Sequence, residues 1–215
     1  GDRYSTDALF DEAIDFAEGC GETPFFVFLA PDAVHTPLDA PPATVARYAS
    51  LDPDQATYAA MVDHVDQGVG RLVDALPEDT IFIFTSDNGG DVSDNAPLRG
   101  RKGSLLEGGI RVPLVISGPG VNPGRTETPT QSIDLPPTML DLCGVEPAEA
   151  DRFDGTSLAK ELQGGPGPDR DAIFWHFPAY IGGNVPSSAI RLGDWKLIQS
   201  LEDESIELYD LARDP

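Results

Sequence analysis

The sequence predicts an α/β fold with a largely parallel sheet, followed by a small antiparallel sheet subdomain, and three observations carry that expectation. Short apolar runs at 25–30, 81–85 and 114–117 alternate with segments of helical periodicity at 7–18, 55–76 and 135–142, the pattern of a sheet covered by helices. The runs are β-branched and aromatic without polar alternation, as strands buried on both faces are. After about Asp154 the texture changes. Gly164-Gly165-Pro166-Gly167-Pro168 reads as a linker, and short strand-like runs separated by turns follow it. The expected organisation is residues 1–155 as the α/β part and 156–215 as the small sheet subdomain, with no internal repeat.

Each element has a local reason. Leu9, Phe10, Ile14 and Ala17 at helical spacing predict a helix over Asp7 to Glu18, with Thr6 or Asp7 as its cap. Phe25 to Ala30 reads as a buried strand. Residues 31–53 are rich in Pro and Ala with few periodic apolar positions, so they read as a loop passing over the site, and His35 lies in it. Tyr58, Met61, Val62, Val65, Val69, Leu72 and Val73 predict the apolar face of a helix from about Gln55 to Leu76. Ile81 to Thr85 and Leu114 to Ser117 are two further strands. Leu135 to Leu142 is a helix that Gly144 stops. In the last part, Ala172 to Phe177, Ser188 to Leu192 and Lys196 to Ser200 read as strands, with Gly193-Asp194 as the turn between the last two.

The chemistry concentrates at the end of one predicted strand. Thr85-Ser86-Asp87-Asn88-Gly89-Gly90 closes the run Ile81 to Thr85, and ligands in open α/β sheets bind at such carboxyl ends. Asp87 offers carboxylate oxygen and Asn88 carbonyl oxygen, hard donors that suit Ca²⁺ or Mg²⁺, while the glycines let backbone pass close to a ligand. Arg101-Lys102-Gly103 and Glu107-Gly108-Gly109-Ile110-Arg111-Val112-Pro113 follow at short range. Taken alone, Asn-Gly between apolar runs reads as a hairpin turn; the partner motifs change that weighing.

These three pieces, in this order, resemble the sulfatases, which carry an S-D-N-G-G strand end, a G-x-K loop and E-G-G-x-R-V-P leading into another strand. The likeness extends through His35-Thr36-Pro37, Tyr58-Ala59-Ala60-Met61, Ser132-Ile133-Asp134-Leu135-Pro136-Pro137-Thr138, Asp154-Gly155, Trp195-Lys196-Leu197-Ile198 and Glu207-Leu208-Tyr209-Asp210-Leu211, and so covers essentially the whole chain. It implies a three-layer, alkaline-phosphatase-like core. It also implies a sulfuric ester hydrolase in which Asp87 and Asn88 are metal ligands for Ca²⁺. Lys102 and His35 would be catalytic and substrate-binding residues: Lys102 places an ammonium on the sulfate, and His35 donates to a sulfate oxygen or helps manage the leaving-group proton.

What the resemblance requires and the sequence lacks is equally specific. Sulfatases generate a formylglycine nucleophile from C-x-P-S-R, and no such motif occurs in these residues. Cys20 precedes Gly21-Glu22-Thr23 and Cys143 precedes Gly144-Val145-Glu146, so both read as small apolar residues; a single bridge between them stays open. The paired aspartates that complete the metal shell, and the lysine and histidine that follow the nucleophile, are likewise absent. The expectation is a carboxyl-terminal portion of the family pattern that is inactive alone, either a fragment or a gene that has lost half of its enzyme. Two other function classes remain open: a phosphodiesterase or phosphonate hydrolase of the same superfamily, and a non-catalytic remnant. Asn88 favours the one-metal sulfatase branch, since alkaline phosphatases place histidine after the aspartate and use two zinc ions. Of the remaining polar residues, His64 reads as a surface or boundary position and His176 as structural. Glu107 and Arg111 read as pairing or capping within their turn, and Asp66 as contacting backbone or a neighbouring helix.

Charge bounds the partners. The formal net charge is −23, from 37 acidic against 14 basic residues; Asp outnumbers Glu by 25 to 12, and lysine occurs three times. A surface so self-repelling predicts a high-salt home, where the carboxylates are screened. No basic stripe exists to neutralise phosphates, so nucleic acid is excluded as a partner, and no run reaches the ~18 apolar residues of a membrane span. The expected partner is a small-molecule or saccharide sulfate ester, with homo-oligomerisation or association with the missing half left open. Localisation is open between a high-salt cytoplasm and export.

Overall fold

In the computed structural model, which describes residues 3–148 and 152–215, the chain forms two units, Gly1–Thr80 and Ile81–Pro215. In the first unit, α1 (Ser5–Gly19) packs against α3 (Pro53–Ala75). Proline at the first turn of α3 suits a helix start, where an N–H would have no partner. The start of α1 differs from expectation. Tyr4 occupies the cap position without a side-chain cap bond, and Thr6 is buried instead of capping.

The inward face of α3 also differs. Of the seven apolar residues expected there, Met61 is buried, whereas Val62 and Val73 are exposed; Ala56, Ala60, His64 and Gly68 are buried instead. These four recur every fourth residue and so share one face. At Gly68 the lack of a side chain lets α1 approach closely. A Cβ on Gly68 would stand 2.3 Å from the Phe10 ring, so the absence of a side chain there seats Phe10, one of the buried residues of α1. Phe10 and Ala17 lie inside as expected, while Leu9 is exposed.

The segment 31–53 is not wholly irregular. It contains a single helical turn, α2 (Pro42–Val45), and a 3₁₀ turn (Ala46–Tyr48). Val34, Leu38, Val45 and Tyr48 cover the buried Ala40, Ala60 and Met61. Phe25 to Ala30, expected to be a buried strand, has no ladder partner among the described residues, and Phe26 and Phe28 are 69% and 84% exposed.

The second unit begins with β1 (Phe82–Thr85), which pairs with β2 (Leu114–Ser117) in antiparallel register, Phe84 opposite Val115. Parallel pairing was expected. A parallel pair needs a crossover, usually helical, whereas residues 86–113 fold back as loops with only the four-residue α4 (Glu107–Ile110) among them. Further on, α5 (Leu135–Cys143) ends at Gly144, whose φ of 63° is the left-handed stop the sequence predicts. The expected linker at 164–168 closes α6 (Ala159–Leu162): the N–H groups of Gly164 and Gly165 donate to Glu161 and Lys160 carbonyls.

The carboxyl-terminal sheet is antiparallel as expected, in the order β3 (Ala172–Phe177), β4 (Ser187–Leu192), β5 (Trp195–Ser200), β6 (Ile206–Asp210). Its fourth strand was not expected, although Ile206 and Leu208 alternate about Glu207 as strand residues do. Gly193, at φ 59°, makes the tight hairpin between β4 and β5. Buried Ala189 and Ile198, with Trp175 and Phe177, pack on Leu105, Leu106 and Ile110, so this sheet shares a core with the segment carrying α4. No helix among the described residues is long and apolar enough to cross a membrane.

Candidate active site

The strand end of β1 is tied to the start of β2: the Thr85 hydroxyl donates to the Pro113 carbonyl at 3.0 Å. From there the backbone turns, with the Ser86 hydroxyl donating to the Asn88 carbonyl at 2.8 Å. Asp87 is exposed and Asn88 half-buried. Two residues further on, the Gly90 carbonyl accepts the N–H of Lys102 at 3.3 Å. The loop bearing Asp87 and Asn88 and the loop bearing Lys102 are thus hydrogen-bonded neighbours. The Asn95 amide joins them again, donating to Gly90 at 2.8 Å and to Gly100 at 3.2 Å. Asn95 was not singled out in the sequence, where its one signal is its position between the two motifs.

Below both loops lies α4. Gly89 donates to the Gly109 carbonyl at 2.9 Å, and Gly108 to the Arg99 carbonyl at 2.7 Å. Glycine is required by space: a Cβ on Gly89 would stand 1.9 Å from the Gly108 oxygen, and one on Gly108 2.3 Å from the Gly100 oxygen. Gly100 and Gly103, which bound the Lys102 segment, have φ of 82° and 87°, the region that favours glycine. The Lys102 side chain is half-buried.

Glu107 was expected to pair within its turn. Arg111 does lie 4.0 Å from it, but the closer partner is distant in sequence: Lys196 Nζ on β5 donates to Glu107 Oε1 at 2.7 Å, with the two side chains 1% and 5% exposed. Burial holds the Lys196 ammonium below the usual lysine range, against the pull of Glu107, which raises it. The Lys196 ammonium also lies 5.2 Å from the centre of the Trp175 ring. Nothing local in either stretch marks the two as partners.

His35 belongs to the first unit, whereas Asp87, Asn88 and Lys102 belong to the second. Its Nδ1 lies 2.6 Å from the Thr36 carbonyl. With Tyr4, Asp32, Asp39 and Met61 it lines a cleft of about 290 Å³. His64 is buried, not on the surface: it bridges Asp7 Oδ1 and Thr44 Oγ1 at 2.9 Å each, holding α1, α2 and α3 together. His176 is exposed and bonded to Ser188 Oγ at 2.8 Å. Cys20 and Cys143 are free thiols.

By their chemistry Asp87 and Asn88 offer two hard oxygens of the kind Ca²⁺ takes. Among the described residues no group of three or more His, Cys, Asp or Glu side chains is placed to share an ion, so these residues do not by themselves make up the roughly six to eight oxygens of a Ca²⁺ shell.

Comparison with known proteins gives the family. Residues 1–145 match the family model Sulfatase, and residues 101–215 match N-sulphoglucosamine sulphohydrolase, C-terminal. A sulfatase of Formosa agariphila is 37% identical over 99% of this chain and 45% of its own length. A choline-sulfatase of Rhizobium meliloti is 35% identical over 74% of the chain and 31% of its own. The chain therefore spans less than half the length of these relatives. Among solved structures, yidJ from Bacteroides fragilis covers all of the chain and 54% of its own length with a TM-score of 0.76 at 20% identity. A phosphonate monoester hydrolase from Silicibacter pomeroyi gives a TM-score of 0.65 at 23% identity, over 96% of this chain and 54% of its own. A protein solved with its substrate D-glucosamine-2-N,6-O-disulfate gives 0.65 at 20%, over 100% of this chain and 64% of its own. These structures share the fold, and the sequence matches are more specific: the chain belongs to the sulfatase family, within the alkaline phosphatase superfamily.

Proposed function

We propose that this chain is the carboxyl-terminal half of a sulfuric ester hydrolase, contributing part of the metal shell and part of the sulfate site. The observation that carries this is the stapling of the Asp87-Asn88 loop to the Lys102 loop through Gly90, Lys102 and Asn95. A sulfate monoester gains charge on its leaving oxygen in the transition state, so the site needs a preorganised cation and donors. Lys102 supplies the ammonium. For His35 the reading rests on the family pattern alone, as a donor to a sulfate oxygen or a group handling the leaving-group proton near neutral pH. Asp87 and Asn88 hold one edge of Ca²⁺, which when bound draws charge from the sulfate.

The C-x-P-S-R motif is absent from these residues, so the formylglycine nucleophile and the remaining metal ligands come from a further segment, and the chain alone is inactive. In the whole protein the α/β sheet is largely parallel, and the change of texture near residue 155 marks where the small antiparallel sheet begins, not a break in the core that sheet shares with the α4 segment. A sulfated saccharide is the favoured substrate class, supported by the neighbour solved with a disulfated glucosamine. The phosphonate hydrolase neighbour supports a second reading, hydrolysis of a phosphonate or phosphate ester on the same architecture; the 37% identical sulfatase supports the first more strongly. The acidic surface reflects a high-salt home.

The test joins this chain to a formylglycine-bearing amino-terminal sulfatase segment. The chain alone should show no turnover of an aryl sulfate and bind Ca²⁺ more weakly than micromolar by calorimetry. The joined protein should hydrolyse the ester, bind Ca²⁺ more tightly, and lose roughly a hundredfold or more in kcat with Lys102→Ala. Turnover by the chain alone, or a joined protein indifferent to both Lys102→Ala and Asp87→Ala, would refute the proposal.

A further inference from the structure

We propose that Lys196, on the carboxyl-terminal sheet, is a positioning residue for the candidate site, acting through Glu107; the functional part of this rests on the reading of Asp87, Asn88 and Lys102 above. The chain has three lysines among 37 acidic residues, and one of them is 1% exposed on β5, bonded to a carboxylate that is 5% exposed. Burying such a pair is costly. An apolar pair of similar volume commonly serves stability as well or better, so the pair marks geometry that has to be held in one register.

The geometry it holds is traceable bond by bond. Glu107 opens α4, and the next two residues, Gly108 and Gly109, carry the hydrogen bonds to Arg99 and Gly89. Arg99 leads into the Lys102 loop, and Gly89 follows Asp87 and Asn88. The clearances around Gly89 and Gly108 leave no room even for a methyl group. A displacement of α4 by a fraction of an ångström therefore moves both loops. On the far side, Lys196 is fixed by its place in β5, opposite Tyr209 of β6 and Arg191 of β4, and by the Trp175 ring. The carboxyl-terminal sheet, which contributes none of the expected ligands, thereby sets where the ligand-bearing loops sit.

Amide hydrogen exchange on the 215-residue chain tests this without reference to activity. In Lys196→Met, the amides of Gly89, Gly108 and Lys102 should exchange roughly tenfold faster than in the wild type, while those of α1, α3 and α5 keep their rates. Lys196→Met/Glu107→Gln removes the uncompensated carboxylate. It should recover most of the melting temperature but leave Gly89, Gly108 and Lys102 fast. If the single variant does not fold, the double variant gives the same reading. Unchanged exchange at these amides in the double variant would overturn the proposal, as would uniform acceleration that the double variant fully reverses, because the pair would then support stability alone. Lys102→Ala serves as the separate control. It should leave the amides of Gly89 and Gly108 protected, and its effect on ester turnover in the joined protein decides the site reading independently.

Discussion

Gly89 donates its N–H to the carbonyl of Gly109 at 2.9 Å, and a Cβ at Gly89 would fall 1.9 Å from the oxygen of Gly108. The strand-end loop and α4 are in backbone-to-backbone contact, with no flexible side chain between them to give way.

Gly89→Ala should therefore destabilise the protein by about 1–3 kcal/mol, the usual cost of forcing extra volume into a packed site. Urea denaturation measures it. Stability equal to wild type would mean that the loop and α4 can part freely, and the rigid cradle described above would not exist.

Asp134 is fully buried, and its carboxylate accepts from the N–H of Gln131 and of Thr156 at 2.8 Å each and from Arg170 at 2.7 Å. Asp134→Ala strands a mostly buried guanidinium and two N–H groups. The expected loss is about 3–5 kcal/mol. Asp134→Asn keeps an acceptor and should cost less. A measured loss under about 1 kcal/mol for Asp134→Ala would show that water replaces the carboxylate without penalty.

Asp63 carries a pH dependence. The Gln67 amide donates to it and, with Tyr48 and Arg47, holds its carboxyl below the usual value of 3.8. With the folded pKa below the unfolded one, the unfolded chain binds more protons between the two, so stability rises with pH across that interval. The contribution is fully present above 3.8 and is lost as pH falls through the folded value. Wild type and Asp63→Asn should thus differ by a constant amount above about pH 5 and converge below 3.8. A difference that widens on acidification would contradict the sign.

A net charge of −23 makes ionic strength a stability variable. The melting temperature should rise from dilute buffer to about 1 M KCl, where the Debye length is near 3 Å and the surface carboxylates are screened from one another. A flat or falling melting temperature removes the high-salt reading.

Local chemistry was enough to determine a good part of this protein from its sequence. Helical periodicity located α1, α3 and α5; the left-handed preference of Gly144 set the stop of α5. Alternation and the Gly193-Asp194 turn set three strands of the last sheet. The order of the Ser-Asp-Asn-Gly-Gly, Gly-Arg-Lys-Gly and Glu-Gly-Gly pieces pointed to the family. Tertiary structure decided what depends on partners far along the chain. An apolar four-residue strand fits either pairing direction, so the antiparallel register of β1 with β2 was settled by the fold-back of residues 86–113. The inward face of α3 was set by its partners, Phe10 of α1 against Gly68 and the segment around Ala40 against Ala60, rather than by Val62 and Val73. Lys196 and Glu107 stand 89 positions apart, and Glu107 read alone pairs or caps within its own turn. Folding alone removes both from water, and in that low-dielectric setting the two charges must meet.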